Sequence, residues 1–245
     1  MSVPPKDPNF PFVSVITPTY NRKRFIPSLI RCFLSQTYRK EYMEWIVYDD
    51  GDEPVEEIFN QYKDQLPNFR YLYDPEKRNI GAKRNLLNKA ARGDIIVAMD
   101  DDDYYMPDRV AAAVAAFKRN PKVHLAGSSE VYMYYSDIQT IYKLGPYNAN
   151  HATNGTMAWT KAYAVSHEYD ETVTHAEEKS FLENYKNPMI QLDPMKVMLV
   201  MSHTENTFDK KKMREEKNNP FIKKTVMKLQ DFIKDSSLRD FFRSA

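Results

Sequence analysis

Four consecutive carboxylates, Asp100, Asp101, Asp102 and Asp103, follow an apolar run at residues 95–99. An apolar run of this length is typical of a short strand that is buried on both faces, as in a parallel sheet. The carboxylates then lie at the carboxyl end of the strand, the edge where open α/β sheets bind ligands. Neighbouring carboxylates raise each other's pKa values, and a bound divalent cation removes that cost. The pattern indicates a site for Mg²⁺ or Mn²⁺, which accept oxygen ligands; the alternative is a solvated acidic turn.

Two further polar loops follow predicted strands. The loop at 17–22 comes after a strand at 13–16, and the loop at 49–52 comes after a strand at 45–48. Strands and helices alternate over residues 13–127, which predicts a mainly parallel, doubly wound α/β sheet with right-handed crossovers. The three polar loops therefore meet at one edge of the sheet, where a nucleotide-type ligand can bind.

The sequence after residue 127 is less regular and predicts a smaller region of mixed structure. The predicted elements are a hairpin at 131–135 and 138–142, strands at 155–159 and 197–201, and helices at 161–167, 176–185 and 220–234. The last helix is amphipathic and follows a basic segment at 210–214. We expect its apolar face to pack on the domain; the alternative is peripheral contact with an anionic membrane surface.

Composition excludes several kinds of protein and site. The formal net charge of +1 argues against binding nucleic acid through the charge of the whole protein. The single cysteine, Cys32, excludes an intramolecular disulfide and a cysteine-based zinc site, and it fits a reducing compartment. No apolar run reaches transmembrane length, and the N-terminus lacks the apolar core of a signal peptide. We therefore expect a cytoplasmic protein without a membrane span.

The polar loops belong to a longer series of motifs. The series is Val-Ile-Thr-Pro-Thr-Tyr-Asn-Arg at 15–22, Ile-Val-Tyr-Asp-Asp-Gly at 46–51, Asn-Ile-Gly-Ala-Lys-Arg-Asn at 79–85, Met-Asp-Asp-Asp-Asp at 99–103, Ala-Glu-Glu at 176–178 and His-Thr-Glu-Asn at 203–206. Over residues 12–206 the chain resembles the family 2 glycosyltransferases of GT-A fold, which are inverting enzymes with nucleotide-sugar donors.

The resemblance implies one α/β domain over residues 1–245, with a Rossmann-like, mainly parallel central sheet flanked by helices. Residues 12–127 would form the half that binds the nucleotide sugar. Residues 128–206 would form the acceptor and catalytic half, a smaller mixed region, and residues 207–245 a helical tail.

The resemblance also implies which side chains bind the donor. These side chains are Pro18, Tyr20, Arg22, Asp49, Asp50 and Arg84. The loop at 18–22 would line the nucleotide pocket, Asp50 or its neighbour Asp49 would accept hydrogen bonds from the base, and Arg84 would approach the diphosphate or base. From the residues alone, the two aspartates fit a turn after a strand, and Arg84 fits a solvated helix charge.

The acidic run matches the DXD motif of the family at Asp100 and Asp102, and Asp102 is the preferred metal ligand. Asp101 fills the variable position, and Asp103 would hydrogen-bond the sugar. His203 resembles a late histidine of the family and is a candidate third ligand for Mn²⁺ or Mg²⁺. The alternative is a histidine exposed at the end of a strand.

The catalytic base of the family falls on Glu178. The family commonly has Glu-Asp where this chain has Glu177 and Glu178, so Glu177 is kept as an alternative base. Acidic residues are also favoured at a helix start by the helix dipole. A carboxylate suits the chemistry, because it can take the proton of an attacking hydroxyl and accelerate transfer by about 10²–10⁴.

The sequence therefore predicts a metal-dependent inverting glycosyltransferase that moves a sugar from a nucleotide-diphosphate sugar, expected to be a UDP-sugar, to a hydroxyl of a glycan or other acceptor. One alternative is a nucleotidyltransferase of similar fold, although the loop at 17–22 lacks the glycine that would favour it. The other is a catalytically silent module that binds a sugar or nucleotide, against which the intact Asp102, Glu178 and His203 argue.

Overall fold

Two β-sheets form the framework of the protein, whose computed structural model describes residues 7, 9–174, 176–206, 210–215 and 219–245. The strands in these ranges are β1 (Val13–Thr19), β2 (Met43–Asp49), β3 (Phe69–Tyr73), β4 (Ile95–Ala98), β5 (Tyr104–Tyr105), β6 (Leu125–Gly127), β7 (Val131–Tyr135), β8 (Thr140–Leu144), β9 (Ala158–Thr160), β10 (Ile190–Gln191), β11 (Met198–Ser202) and β12 (Ile222–Lys224). The α-helices are α1 (Ile26–Leu34), α2 (Glu56–Asn60), α3 (Ile80–Ala90), α4 (Arg109–Arg119), α5 (Lys161–Ser166), α6 (Glu178–Phe181), α7 (Lys211–Glu215), α8 (Leu229–Phe232) and α9 (Ser236–Ser244). None of the helices in the described ranges is long and apolar enough to cross a bilayer.

The larger sheet has the strand order β10–β6–β9–β4–β1–β2–β3. Strand β1 is parallel to β2 and β4, β2 is parallel to β3, and β6 is parallel to β10. The prediction of a mainly parallel sheet is confirmed, with one difference, since β9 is inserted between β4 and β6 and is antiparallel to both. The smaller sheet, with the order β12–β8–β7–β11–β5, is mixed, as expected for the second half.

The register of the central strands brings the predicted polar loops to one edge. Thr19 at the end of β1 lies opposite Asp49 of β2, and Ile16 lies opposite Ala98 at the end of β4. These three strands are buried along their whole length because helices cover both faces of the sheet. One apolar core includes α1, α2 and α4, and a second includes α3, α5 and α6.

The N-terminal half of α3 is held against the chain near Asp170. A Cβ atom on Gly81 would lie 2.2 Å from the carbonyl oxygen of Asp170, so this approach requires glycine. Asn85 donates to the carbonyl of Tyr169 at 2.9 Å and accepts from its N–H at 2.9 Å. These contacts fix the direction in which α3 presents its first two turns to the carboxyl edge of the sheet.

The C-terminal region differs from the amphipathic helix predicted at 220–234. Strand β12 pairs with β8, and the short helices α8 and α9 follow it. The helical prediction was wrong because the apolar spacing also fits a strand followed by a turn, with Ile222 opposite Leu144 in the sheet and Val226 exposed. Leu229 and Ile233 are buried in the main core, so the tail does pack on the domain. Residues 207–209 and 216–218 of this tail lie outside the described residues.

Two other predicted elements have different limits. The second hairpin strand, predicted at 138–142, runs over Thr140–Leu144. The helix predicted at 176–185 is the four-residue α6. It ends early because Glu183, Asn184 and Tyr185 adopt positive φ angles of 48°, 56° and 62°, which a right-handed helix does not contain.

A network of ion pairs around one buried carboxylate lies at the opposite edge of the larger sheet. The carboxylate of Glu44 in β2 is fully buried and accepts hydrogen bonds from Ser14 Oγ and from the backbone N–H of Arg92, both at 2.6 Å. The guanidinium groups of Arg92 and Arg70 lie 2.7 and 3.3 Å from its Oε2. One carboxylate therefore ties β1, β2 and β3 to the turn after α3.

Glu44→Ala is expected to lower the free energy of unfolding by about 1–3 kcal/mol, because the buried hydroxyl of Ser14 and the backbone N–H of Arg92 lose their acceptor. Urea unfolding followed by circular dichroism measures the change. Glu53→Ala is the control: it removes an exposed pair with Lys23, whose side chains are 79% and 64% exposed, and should cost less than about 1 kcal/mol. Equal losses for the two variants would contradict the role given to Glu44.

Candidate active site

A cavity of ≈ 820 Å³ opens at the carboxyl edge of the larger sheet. The predicted site residues that line it are Pro18, Tyr20, Arg22, Arg84, Asp100, Asp101, Asp102 and Glu177. The predicted site residues outside this lining are Asp49, Asp50, Asp103, Glu178 and His203. The fold thus brings together the loop after β1, the start of α3, the acidic loop after β4 and the segment before α6.

Asp102 lies at the centre of a group of polar side chains. Its Oδ2 atom is 3.1 Å from Nε2 of His203, 3.2 Å from Nδ2 of Asn206 and 3.8 Å from Nη2 of Arg22. Burial alone would raise the pKa of Asp102, but the hydrogen bond from His203 and the nearby Lys210 lower that pKa below its usual value. Asp102 is therefore ionised at neutral pH.

Arg84 joins the acidic loop to the segment before α6. Its side chain is buried, and it donates to Asp100 Oδ1 from Nη1 at 3.0 Å and to Glu177 Oε1 from Nε at 2.8 Å. The sequence predicts Arg84 beside the diphosphate or the base; the structure places it in the cavity wall, between two carboxylates. One guanidinium therefore pairs with a carboxylate from each half of the chain.

The other two aspartates of the acidic loop have different partners. Asp101 accepts a hydrogen bond from Thr19 Oγ1 at 2.6 Å, and burial, followed by the charge of Asp102, raises the pKa of Asp101 well above its usual value. Asp103 accepts from the backbone N–H of Met201 at 2.7 Å, and burial raises the pKa of Asp103 to about 7. Asp103 secures the loop to β11, and the structure does not bring it to the cavity, where the resemblance places a sugar contact.

Asp49 and Asp50 are almost fully buried behind the cavity wall. Asp49 accepts a hydrogen bond from the backbone N–H of Gly51 at 2.9 Å, which is the geometry of a turn after a strand. Asp50 accepts from the backbone N–H of Arg78 at 2.7 Å and from Nζ of Lys83, a residue of the cavity wall. Asp50 is thus the aspartate of this pair that is coupled to the cavity.

Glu178 has the pKa that a general base needs. Burial, followed by repulsion from the carboxylate of Glu177, raises the pKa of Glu178 to about 7. A general base works best when its pKa lies near the operating pH. Glu177 is instead paired with Arg84 at 2.8 Å. The two adjacent glutamates therefore have different environments: Glu177 lines the cavity and pairs with Arg84, whereas Glu178 lies outside the lining and has the pKa suited to proton exchange near neutral pH.

Sequence reasoning missed several basic residues of the cavity wall. Lys83 Nζ donates to the carbonyl of Thr19 at 3.2 Å, and Lys77 Nζ lies 4.2 Å from the ring centroid of Tyr20. Arg78 lines the same wall. The signal that could have identified them is their position, because residues 77–83 lie at or just before the start of a helix that begins at the carboxyl edge of the sheet.

Arg109 is a buried cation beneath the acidic loop. It is fully buried, and its Nη2 donates to the carbonyl of Met157 at 2.6 Å. Its Nε and Nη1 atoms have no hydrogen-bond partner within the described ranges. The adjacent Tyr105 hydroxyl accepts from the backbone N–H of Asp100 at 2.6 Å. Arg109 supplies positive charge near Asp100, and no sequence signal separates it from an ordinary charge on an amphipathic helix.

Comparison with known families shows the family to which the chain is related. The model described as Glycosyl transferase family 2 matches residues 14–167, which is more than half of the sequence. The chain belongs to this family. A curated relative, the putative colanic acid biosynthesis glycosyl transferase WcaA of Escherichia coli, is 31% identical over 109 residues, 44% of this chain and 38% of WcaA. The family 2 chain spans about half the length, or less, of the curated relatives it matches.

Solved structures show that the family 2 chain has the GT-A fold. Residues 1–349 of Staphylococcus aureus TarS, in complex with UDP-GlcNAc, match with a TM-score of 0.66 and 19% identity, over 79% of this chain and 59% of that one. The mannosyltransferase PcManGT of Pyrobaculum calidifontis, in complex with GDP-Man and Mn²⁺, matches with a TM-score of 0.63 and 16% identity, over 80% of this chain and 58% of that one. At these identities the likeness establishes the fold, and it confirms the predicted class.

Two residues of this family 2 chain, Asp102 and His203, could together hold a divalent cation. Among the described side chains, no group of three or more His, Cys, Asp or Glu could hold a metal by itself. Asp102 and His203 offer an oxygen and a nitrogen 3.1 Å apart, whereas Asp100 is paired with Arg84. The structure therefore does not bring the three predicted ligands together. A pair is sufficient for a cation that takes further ligands from substrate phosphates.

Proposed function

We propose that this family 2 member is a metal-dependent inverting glycosyltransferase that moves a sugar from a nucleoside-diphosphate sugar to an acceptor hydroxyl in glycan synthesis. The observation that carries the proposal is that Arg22, Arg84 and Asp102 line one cavity on the carboxyl edge of the sheet, with His203 3.1 Å from Asp102. Fixed cations beside an ionised carboxylate suit a ligand that carries a diphosphate and a divalent metal.

Asp102 and His203 would hold Mn²⁺ or Mg²⁺. When bound, the cation supplies charge neutralisation for the departing diphosphate. Arg22 and Arg84, whose side chains are 14% and 5% exposed, are already held in place by carboxylates and add to this stabilisation without a large rearrangement. In the structure Nε2 of His203 contacts Asp102, and Nδ1 accepts from the backbone N–H of Glu205 at 3.2 Å, so Nε2 is the nitrogen that would hold the metal after losing its proton.

Glu178 is the proposed general base. It accepts the proton of the acceptor hydroxyl while the hydroxyl oxygen bonds to the anomeric carbon of the donor. The bond from that carbon to the diphosphate breaks, and the configuration inverts because the attack and the departure occur on opposite faces. Glu177 is assigned a positioning role, since it holds Arg84 in the cavity wall.

The proposed donor is a UDP-sugar. The support for a nucleotide sugar comes from the complexes of TarS with UDP-GlcNAc and of PcManGT with GDP-Man, which have similar folds. The preference for uracil rests on the resemblance of the segment at 46–51 to the family motif. Asp50, which accepts a hydrogen bond from Lys83, is the carboxylate proposed to accept hydrogen bonds from the nucleobase.

Incubation with Mn²⁺ and a panel of UDP-, GDP- and dTDP-sugars, with the released nucleoside diphosphate measured, tests the proposal. Release from one donor that stops on chelation of the metal supports it. Formation of a nucleoside triphosphate and a sugar 1-phosphate when pyrophosphate is added would indicate a nucleotidyltransferase instead. Nucleotide binding without turnover of any donor, in the presence of a broad set of acceptors, would indicate a silent binding module.

His203→Ala is expected to weaken the apparent Mn²⁺ affinity by at least about 10-fold, because the cation loses one of two protein contacts. Calorimetric titration of Mn²⁺ in the presence of UDP measures the affinity. The control is His124→Ala, which changes an exposed histidine distant in sequence from His203 and should leave the Mn²⁺ affinity unchanged. If His203→Ala has unchanged affinity, His203 only positions Asp102 and is not a ligand.

A further inference from the structure

Exposed lysines and apolar side chains run along the outer edge of the smaller sheet. Strand β12 ends this sheet and pairs with β8 on one side. We call residues 221–228 the edge strip; it contains no acidic residue, and its lysines are Lys223, Lys224 and Lys228. All three lysines are exposed, as are Phe221 at 40% and Val226 at 96%.

The turn between β7 and β8 extends the edge strip. The antiparallel register of β12 on β8 carries Val226 towards this turn. The turn contains Ile138, which is 44% exposed. Helix α7, with its basic residues, contacts the same turn, because Arg214 pairs with Asp137 at 2.7 Å. Two exposed aliphatic side chains therefore lie among basic residues from two separate segments.

Protection of the sheet edge does not explain this combination. Lysines on an edge strand prevent pairing with other chains, and Lys223 and Lys224 would serve that purpose. Exposed apolar side chains have the opposite effect, because they promote association. Val226 and Phe221 account for two of the six large apolar side chains that are exposed in the described part of the chain. The strip thus has the composition of a surface that meets a charged and partly apolar partner.

We propose that the edge strip docks on an anionic lipid bilayer. Each lysine near an anionic surface strengthens partitioning roughly 5-fold, so the three lysines together contribute roughly 100-fold. Val226, Ile138 and Phe221 then enter the boundary between headgroups and acyl chains. The inference does not depend on glycosyl transfer, and a failure of one leaves the other intact.

A row of aromatic rings connects the edge strip to the segment just after α6. The ring centroids of Phe221 and Tyr147 are 5.2 Å apart, those of Tyr147 and His151 4.8 Å, and those of His151 and Tyr185 5.1 Å. Tyr185 lies just after α6, the helix that begins with Glu178. Ring contacts therefore join the strip to the segment that follows α6.

Sedimentation with vesicles tests the proposal. The full chain is expected to sediment with vesicles of phosphatidylcholine containing about 30% phosphatidylglycerol, to remain in solution with pure phosphatidylcholine, and to be released at about 0.5 M salt. The triple variant Lys223→Glu, Lys224→Glu, Lys228→Glu should partition at least about 100-fold more weakly. A wild-type chain that stays in solution with both vesicles overturns the proposal.

A matched control separates the strip from net charge. Lys118→Glu, Arg119→Glu, Lys122→Glu makes the same charge change at exposed positions at the end of α4 and should bind as the wild type does. Equal loss in both triple variants, with folding verified by circular dichroism, overturns the assignment to the strip.

A fluorescent probe locates the contact. The two native tryptophans, Trp45 and Trp159, are buried, so Val226→Trp adds one exposed reporter. Its emission should shift to the blue with anionic vesicles. A variant that sediments without this shift shows that another surface binds the vesicles, and it overturns the proposal.

Discussion

Asp102→Ala should lower metal-dependent turnover of the donor on the order of 10³-fold or more, because several kcal/mol of charge stabilisation at the diphosphate are lost. Within the described ranges the Asp102 carboxylate contacts the side chains of His203, Asn206 and Arg22, and it accepts no hydrogen bond from the backbone. The fold should therefore survive the change. Nucleoside diphosphate release as a function of Mn²⁺ concentration measures the effect, and circular dichroism verifies the fold.

Asp103→Asn is the matched control for Asp102→Ala. The two aspartates are adjacent, but Asp103 accepts its hydrogen bond from the backbone of Met201, and an asparagine oxygen can still accept it. We expect Mn²⁺ dependence close to that of the wild type. Equal activity of Asp102→Ala and wild type would refute the metal assignment. A loss of activity confined to Asp103→Asn would support the contact between Asp103 and the sugar that the resemblance implies.

Glu178→Gln should reduce transfer to an acceptor by about 10²–10⁴ while sparing donor and metal binding. Glutamine keeps the size and shape of the side chain but cannot accept the proton of the hydroxyl. Transfer rates with a fixed acceptor, together with calorimetric titration of UDP and Mn²⁺, distinguish the two effects. A wild-type rate for Glu178→Gln would remove Glu178 from the mechanism.

The pH profile offers an independent test of the same residue. Burial raises the pKa of Glu178 to about 7, so the active, deprotonated form declines as the pH falls through 7. Transfer by the wild type should therefore rise between about pH 6 and 8 and level off above that range. In Glu178→Gln the residual rate should lose this rise. A rise that persists unchanged would assign the titration to another group.

Glu177→Gln is the comparison for Glu178→Gln. Glu177 holds Arg84, and a glutamine oxygen can keep the hydrogen bond from Nε of Arg84 although the charge is lost. We expect a smaller loss of transfer than for Glu178→Gln. An inactive Glu177→Gln with an active Glu178→Gln would make Glu177 the base. An α-linked donor sugar should emerge β-linked in either case.

The first half of the fold could be predicted because its signals are local. Apolar runs end in polar loops at Thr17, Asp49 and Asp100, and the parallel register then places those loops at one edge without further information. The acidic loop and the start of α3 were identified for the same reason. Strand β9 could not be predicted as an antiparallel insert, because its neighbours in the sheet are distant in sequence.

The contacts between side chains within the site were not predictable. Asp100 and Asp102 have the same sequence signal, yet Asp100 pairs with Arg84 and Asp102 with His203. Which partner each carboxylate meets depends on distant segments that pack around the loop. The same holds for Arg109, whose burial under the loop depends on how α4 packs against β4. Periodicity describes the elements, whereas pair partners follow from their packing.

The bridge that Arg84 makes between Asp100 and Glu177 limits how the protein can be divided. The family match ends at residue 167, before Glu177, β11 and His203. A fragment that stops there would retain a buried guanidinium with one of its two carboxylates missing. It would also remove β11, which separates β7 from β5 in the smaller sheet. The matched region is therefore not a folding unit by itself, and dissection of this chain should keep it together with β11 and with the tail, whose Leu229 and Ile233 lie in the main core.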